Sequence, residues 1–426
     1  EQSQVSDDST PPPQSRQNRY AESMTLFDRA RKVIPGGIYG HVSPALTIPV
    51  GSPYFAERAE GCRYWDVDGN EFLDFMCGYG PVVLGHGHSE VEEAALKSRQ
   101  KAGCLNHPSR LSVELAERLV GLVDIADWAV FAKNGSDVTT WCAQVAREFT
   151  GRKKLLMAEG AYHGTHPWCT PGHGGLIDED RAHVHYFRWN DSQSIDDAFK
   201  RYGKDLAAVF VTPFHHPMFE GSVMPAEGFL TYLEGRCRQH GSLLIVDDVR
   251  AGFRLDLGGS HRFFGFQPDL ACYSKALANG HPISAAVGRE GLRVAASRVF
   301  LTGSFWNSPA EMAAAIKTLE IIERDAVIER LRDLGERFCA GLQASASRAG
   351  LEVEISGPPA IPFMRFRNDR DYSKRRRFAE CCLDGGVFLH PHHNWFLCAA
   401  HTEDTIDEAL AIAEGAFQTL ADTERP

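Results

Sequence analysis

Leu243-Leu244-Ile245-Val246-Asp247-Asp248 is the stretch on which the fold turns: four apolar residues, two of them β-branched, that stop at a pair of acids. A short apolar run of this kind reads as a strand buried on both faces of a sheet. Asp247 then falls at the strand's C-terminal end, the edge at which open α/β sheets place their ligands. Twenty-eight positions on, a second short apolar segment, Leu270-Ala271-Cys272-Tyr273, delivers Ser274-Lys275.

An acid on one strand tip and a lysine on another suit pyridoxal phosphate. That cofactor needs a lysine for its Schiff base and a carboxylate to keep its pyridine nitrogen protonated. Each residue alone has a plainer reading. A strand-end Asp is commonly a cap or a loop acceptor, and a Lys after an apolar segment commonly opens a solvated helix. The surrounding chain decides.

At 426 residues the chain is long enough for two or three domains, and 43% hydrophobic with 24% charged residues is ordinary for a globular enzyme. A net charge of −11 argues against a nucleic-acid or anionic-membrane surface. No apolar run approaches the ~18 residues of a membrane span, and none near the start has the make-up of a signal peptide. The eleven cysteines are scattered without a CxxC pair, which reads as free, mostly buried thiols in a reducing compartment, so the cytoplasm is expected.

Between about 90 and 330 helical and strand patterns alternate, which predicts a mostly parallel central sheet with helices on both faces. Strands are expected at Trp128–Ala132, Lys154–Met157, Ala207–Val211, Leu243–Val246 and Leu270–Tyr273, and helices at 111–122, 137–149, 227–240 and 309–324. Residues 1–19 are polar and carry Pro11-Pro12-Pro13, so a disordered tail is expected there. Helical spacing from Tyr20 to Ile34 stops at Pro35-Gly36-Gly37, and residues 54–75 alternate around Asp68-Gly69-Asn70 as a hairpin. From about Ile328 a long helix leads to strands at Glu352–Ile355 and Ile361–Phe366 and helices at 373–384 and 404–421. The expected division is a large cofactor-binding domain, 76–325, and a smaller α+β domain, 326–426, which the segment 20–75 joins.

Cys77-Gly78-Tyr79-Gly80-Pro81 and Gly85-His86-Gly87-His88 are glycine-dense loops of the kind that let backbone approach a ligand. The two histidines lack a Cys or acid at ligand spacing, so no metal is expected. At Lys133-Asn134-Gly135-Ser136-Asp137 a strand meets a helix, and the free N–H groups and positive dipole end offer a phosphate cradle. A plain helix cap fits the same residues. In Glu159-Gly160-Ala161-Tyr162-His163-Gly164 the tyrosine ring either lies over a planar cofactor or folds onto the core. Thr302-Gly303-Ser304 supplies further donors, or a local turn.

In this order (phosphate loop, stacking aromatic, acid-tipped strand, lysine, second hydroxyl loop) the chain resembles the fold type I pyridoxal-phosphate enzymes. Within them it is similar to the class III aminotransferases, which include glutamate-1-semialdehyde aminomutase and the amine transaminases. The resemblance runs from about Phe27 to the end. It is carried by Ile34-Pro35-Gly36-Gly37, Trp65-Asp66-Val67-Asp68-Gly69-Asn70, Gly85-His86-Gly87-His88, Ala161-Tyr162-His163-Gly164, Asp247-Asp248-Val249-Arg250-Ala251-Gly252-Phe253-Arg254, Ser274-Lys275, and Gly303-Ser304 with Pro309. It implies that Lys275 forms the Schiff base and shuttles the proton, and that Asp247 pairs with the pyridinium nitrogen. Val249 and Tyr162 would pack on the two ring faces, Gly135 and Ser136 would bind the phosphate, and His163 would stand at the cofactor. Ser304, where the family usually has Thr, would reach the phosphate of a second subunit, implying a homodimer with shared sites. Tyr39, Tyr79 and His393 are expected at the substrate pocket.

Departures from the family pattern bear on the substrate. The aminomutase pattern has an arginine after Pro-Gly-Gly, whereas this chain has Ile38-Tyr39-Gly40-His41-Val42-Ser43. Thr212-Pro213 stands for the usual Glu-Pro, Asp248 and Arg250 replace the commoner Glu and Met or Gln, and His390-Pro391-His392-His393-Asn394-Trp395 falls where many amine transaminases place an arginine. These histidines are expected to line the pocket entrance or make hydrogen bonds rather than bind metal. The reading is an aminotransferase that takes an amine without an α-carboxylate, bulky or long-chain like an amino-polyol, and passes its amino group to pyruvate or another keto acid. The alternatives are a glutamate-1-semialdehyde-type 2,1-aminomutase and a non-catalytic binding protein on the same fold, against which the retention of Lys275 and Asp247 weighs. A dinucleotide-binding oxidoreductase fits poorly, because no GxGxxG follows an early strand.

Overall fold

Residues that alternate between two apolar clusters along single strands set the architecture. The structure, a computed structural model, describes residues 18–40, 52–217 and 220–424. Three short strands come first, β1 (Ala56–Glu60), β2 (Arg63–Asp66) and β3 (Glu71–Asp74). Seven more build the central sheet: β4 (Trp128–Ala132), β5 (Lys154–Ala158), β6 (Val184–Phe187), β7 (Leu206–Val211), β8 (Leu243–Asp247), β9 (Leu270–Tyr273) and β10 (Ser284–Gly288). Last come β11 (Val353–Ser356), β12 (Phe363–Phe366) and β13 (Val387–Phe388).

The central order is β4-β10-β9-β8-β7-β5-β6. Strands β5 to β9 pair in parallel, and β10 runs antiparallel to both of its neighbours. In β8 and β9, Leu244, Val246, Ala271 and Tyr273 join one apolar cluster while Leu243, Ile245, Leu270 and Cys272 join the other. Both faces are therefore covered, which is why these strands read as continuous apolar runs. The helix Gly135–Thr150 supplies Val138, Trp141, Cys142 and Val145 to the second cluster.

Two strands of the central sheet were not legible in advance. β6 is only four residues long, Val184-His185-Tyr186-Phe187, at the edge of the sheet. β10 is Ser284-Ala285-Ala286-Val287-Gly288, small residues with weak strand preference. Their smallness is steric: a Cβ on Gly288 would lie 2.5 Å from the Trp128 ring and 2.6 Å from Leu270.

The two ends of the chain meet. β1, β2, β3 and β13 form one sheet, with Val387 beside Leu73 in parallel register. Further on, Phe396 N donates to Phe75 O at 2.7 Å and Ala399 N to Val83 O at 2.8 Å. The buried Arg254 clamps this junction, donating to Leu397 O at 2.6 Å and Gly80 O at 2.7 Å. Arg19, inside the expected tail, donates to Asp384 O at 2.9 Å and Asn70 Oδ1 at 3.2 Å. Residues 1–17 of that expectation lie outside the described residues. Among the described residues no helix is long and apolar enough to cross a membrane.

Candidate active site

The C-terminal edge of the central sheet opens into a cavity of about 650 Å³. Lys275 enters it just past β9, with a backbone φ of 43° in the left-handed region, rare for a residue with a Cβ. Such strain persists where the surroundings enforce it, and it gathers at functional sites. Its side chain is anchored as well, Lys275 Nζ donating to Tyr79 O at 2.7 Å. The turn bearing that carbonyl needs its glycine: a Cβ on Gly80 would lie 2.9 Å from the Phe396 ring and 3.2 Å from Lys275 Cδ. Burial, then the charges of Arg250 and Arg254, push Lys275 down from near 10.5 to about 7, with Asp247 pulling the other way. A lysine in that range can take up and release a proton near neutrality.

Asp247 ends β8, buried, with Oδ2 hydrogen-bonded to His163 Nδ1 at 2.8 Å and Oδ1 accepting from Val249 N at 3.2 Å. The other nitrogen of His163, Nε2, is buried without a partner. Asp248 points away from the cavity. It accepts from Ser260 N at 2.8 Å and Ser260 Oγ at 2.7 Å, and burial holds its carboxyl up at about 7.

The helix Gly135–Thr150 directs its N-terminus into the cavity. Ser136 Oγ accepts from Thr165 N at 3.0 Å, and a Cβ on Gly164 would come within 2.6 Å of that oxygen. Gly135 meets the next strand tip, since a Cβ there would lie 3.0 Å from Val249. Lys133 on the same loop is paired with Glu311 at 3.4 Å.

Imidazoles form the opposite rim. Tyr79 stands edge-on to His393, with ring centroids 5.3 Å apart. Burial is the largest cause pushing down His216, His392 and His393, with His392 at about 4, so these rings are uncharged at neutral pH. Arg250, three residues past Asp247, completes the rim.

Gly135, Ser136, Tyr162, His163, Asp247, Val249, Lys275, Tyr79 and His393 are thus brought to one cavity. Two expected residues are not. Tyr39 is 78% exposed and lies outside the cavity, because Gly36 and Gly37, both at positive φ, turn the chain outward after the first helix. The rest of that reading, 41–43, lies outside the described residues. Ser304 is exposed and does not line the cavity of its own chain; its carbonyl accepts from Cys104 Sγ. Thr165, His216, Asn394 and Phe363 also line the cavity and were not singled out. Thr165 and His216 sit in loops with no periodicity or charge to mark them, and Phe363 lies in an expected strand whose pattern does not mark it as facing the site. Asn394 followed the quoted histidines and carried no signal of its own.

The donors fit pyridoxal phosphate. A lysine lies near a carboxylate, the carboxylate is oriented by a histidine, and a hydroxyl at a helix N-terminus has no room beside it for extra side chain. Among the described residues no cluster of three or more His, Cys, Asp or Glu could hold a metal ion. Fold and site together define a fold type I pyridoxal-phosphate transferase.

The chain belongs to the class III aminotransferases, whose family model matches residues 47–413. It is 47% identical to the aminopentol aminotransferase of Sphingopyxis macrogoltabida, over 93% of each chain. It is 34% identical to the 3-aminobutyryl-CoA aminotransferase of Cloacimonas acidaminovorans, over 96% of this chain and 98% of that one. Among solved structures it resembles the FumI protein of Sphingopyxis sp. MTA144 in its pyridoxal-phosphate internal aldimine form, at 46% identity and a TM-score of 0.92, covering 94% of this chain and 96% of that one. The protein is a pyridoxal-phosphate-dependent aminotransferase.

Proposed function

We propose that this aminotransferase takes its amino group from a long-chain amine without an α-carboxylate, an amino-polyol in particular, and hands it to a keto acid such as pyruvate. One observation carries the reading: a cavity of about 650 Å³ whose rim, apart from Arg250, is built of uncharged imidazoles. Neutral histidines donate and accept at once, which suits hydroxyl groups. The relative from Sphingopyxis macrogoltabida, named for aminopentol, supports the same substrate class.

When bound, pyridoxal phosphate supplies an aldehyde that captures amines and a ring that withdraws electrons. The chain's own residues do the rest. Lys275 Nζ moves the proton to and from the substrate carbon, which its lowered proton affinity allows. Asp247 would keep the ring nitrogen protonated, and His163 fixes the orientation of Asp247. Val249 and Tyr162 would hold the ring between them, while Gly135 and Ser136 would take the phosphate.

The second phosphate contact comes from Ser304 of a neighbouring subunit in a homodimer. Its exclusion from its own cavity supports this, as does the apolar surface beside it, where Phe300 and Phe305 are 85% and 70% exposed. All eleven cysteines are free thiols, which fits a reducing compartment such as the cytoplasm.

A panel of amines offered with pyruvate, read by alanine formation, tests the reading. Long-chain amino-polyols should outpace glutamate-1-semialdehyde and α-amino acids, and nothing should form without pyruvate. Rearranged product in the absence of a keto acid would favour the 2,1-aminomutase instead. A visible band that amines fail to bleach would favour the non-catalytic reading.

A further inference from the structure

Arg250 lines the cavity with a guanidinium that no carboxylate among the described residues pairs. Its Nη1 donates to Asn394 Oδ1 at 2.5 Å, a neutral acceptor. Asn394 Nδ2 in turn donates to Trp395 O at 2.9 Å, which fixes the end of the amide that faces the guanidinium. None of the other guanidinium donors is buried without a partner, so they remain open to the cavity.

The neighbouring cations are engaged elsewhere. Arg254 holds the carbonyls of Leu397 and Gly80. Arg375 donates to His393 O at 2.8 Å and lies 3.9 Å over the Phe363 ring. Lys133 is matched by Glu311. Among the described residues, Arg250 is, apart from Lys275, the cation the cavity leaves for a ligand. Burial lowers its proton affinity to about 10, with Asp247 and Tyr162 pulling the other way, so it stays charged at neutral pH.

A planar guanidinium presents two parallel donors that match the two oxygens of a carboxylate, and the pair is strong where water is scarce. The amine proposed above has no carboxylate, whereas the keto acid has one. We infer that Arg250, oriented by Asn394, anchors the carboxylate of the keto acid acceptor and so selects the acceptor. This rests on the aminotransferase reading with a keto acid acceptor and adds the residue that recognises it. In the other half of the cycle the same donors meet neutral hydroxyl oxygens, so one site serves both substrates.

The holoenzyme tests this in two halves by visible absorbance: loss of the cofactor band on adding amine, and its return on adding pyruvate. Arg250→Met should raise the half-saturating pyruvate concentration by ~30-fold or more, the cost of removing one partner of a desolvated charge pair. The shift for the amine should be at least tenfold smaller than that for pyruvate, on the order of the difference between charged and neutral hydrogen bonds. Arg250→Lys, with the charge but not the fork, should fall between. Apart from turnover, calorimetry should show propionate, a carboxylate with no carbonyl, binding the wild-type holoenzyme and not Arg250→Met. Equal losses for amine and pyruvate in both variants, or propionate binding that survives the substitution, would overturn the inference and leave the aminotransferase reading standing. A wild-type enzyme that bleaches with amine and recovers with no keto acid would overturn both.

Discussion

Lys275 is held in a form that costs stability. In the folded chain it releases its proton at about 7, against near 10.5 for an ordinary lysine. The unfolded chain therefore binds more protons between those values, and the contribution of this residue to stability rises with pH across that window. Below pH 7 the full penalty of a confined ammonium is present. In the cofactor-free protein, Lys275→Met should be more stable than wild type near pH 7, and the advantage should shrink by about pH 9. Urea titrations of both proteins at the two pH values check this; a constant gap would mean that the lysine is not held this way. At this scale the sequence was informative where a residue ended an apolar run, as Asp247 and Lys275 do. It was silent where a residue acts through a distant neighbour, as Asn394 does on Arg250, because 144 positions of chain separate that pair.

The helix Gly135–Thr150 and the loop that follows β5 form one element of the site, joined where Ser136 faces Gly164. Gly164 has a φ of 131°, and a Cβ there would fall 2.6 Å from Ser136 Oγ and 3.0 Å from Ser136 Cα. Neither backbone can yield without moving the helix start. Gly164→Ala should cost roughly 1–3 kcal/mol of stability, as overpacking does, and weaken cofactor binding by roughly tenfold. Equilibrium dialysis against pyridoxal phosphate measures the second effect directly. Binding unchanged from wild type would mean that Ser136 is not part of the phosphate cradle. The junction was legible as a Gly-Ser turn before a helix, but its steric partner was not, because tightness between two loops leaves no periodic trace. The same limit hid β10. A run of small residues that ends in Gly288, which clears Trp128 and Leu270, looks like no element at all when read one after another.

Across the whole molecule, the site exists where three distant parts of the chain converge: the loop around Tyr79, the tips of β8 and β9, and the segment after His390. Alternating strand and helix patterns revealed the central sheet because interior parallel strands must be apolar throughout. The convergence itself was not written in any pattern, since it depends on Arg254 reaching carbonyls more than a hundred positions away on either side. Arg254→Met would leave two buried carbonyls without donors and should destabilise the protein by about 2–6 kcal/mol. Thermal unfolding should show the loss, and Lys275 should regain a higher proton affinity as the Tyr79 carbonyl shifts. An Arg254→Met protein as stable as wild type would show that the two ends of the chain are held by packing alone.

An unprotonated primary amine is a hazard in any fluid that contains stray aldehydes and sugars. The acceptor that steadies Lys275 is a main-chain oxygen, and the guanidinium gripping the next carbonyl along is braced by Leu397, near the far end of the polypeptide. Loosening the stretch around Leu397 should admit water to the amine, which would then keep its proton as an ordinary lysine does.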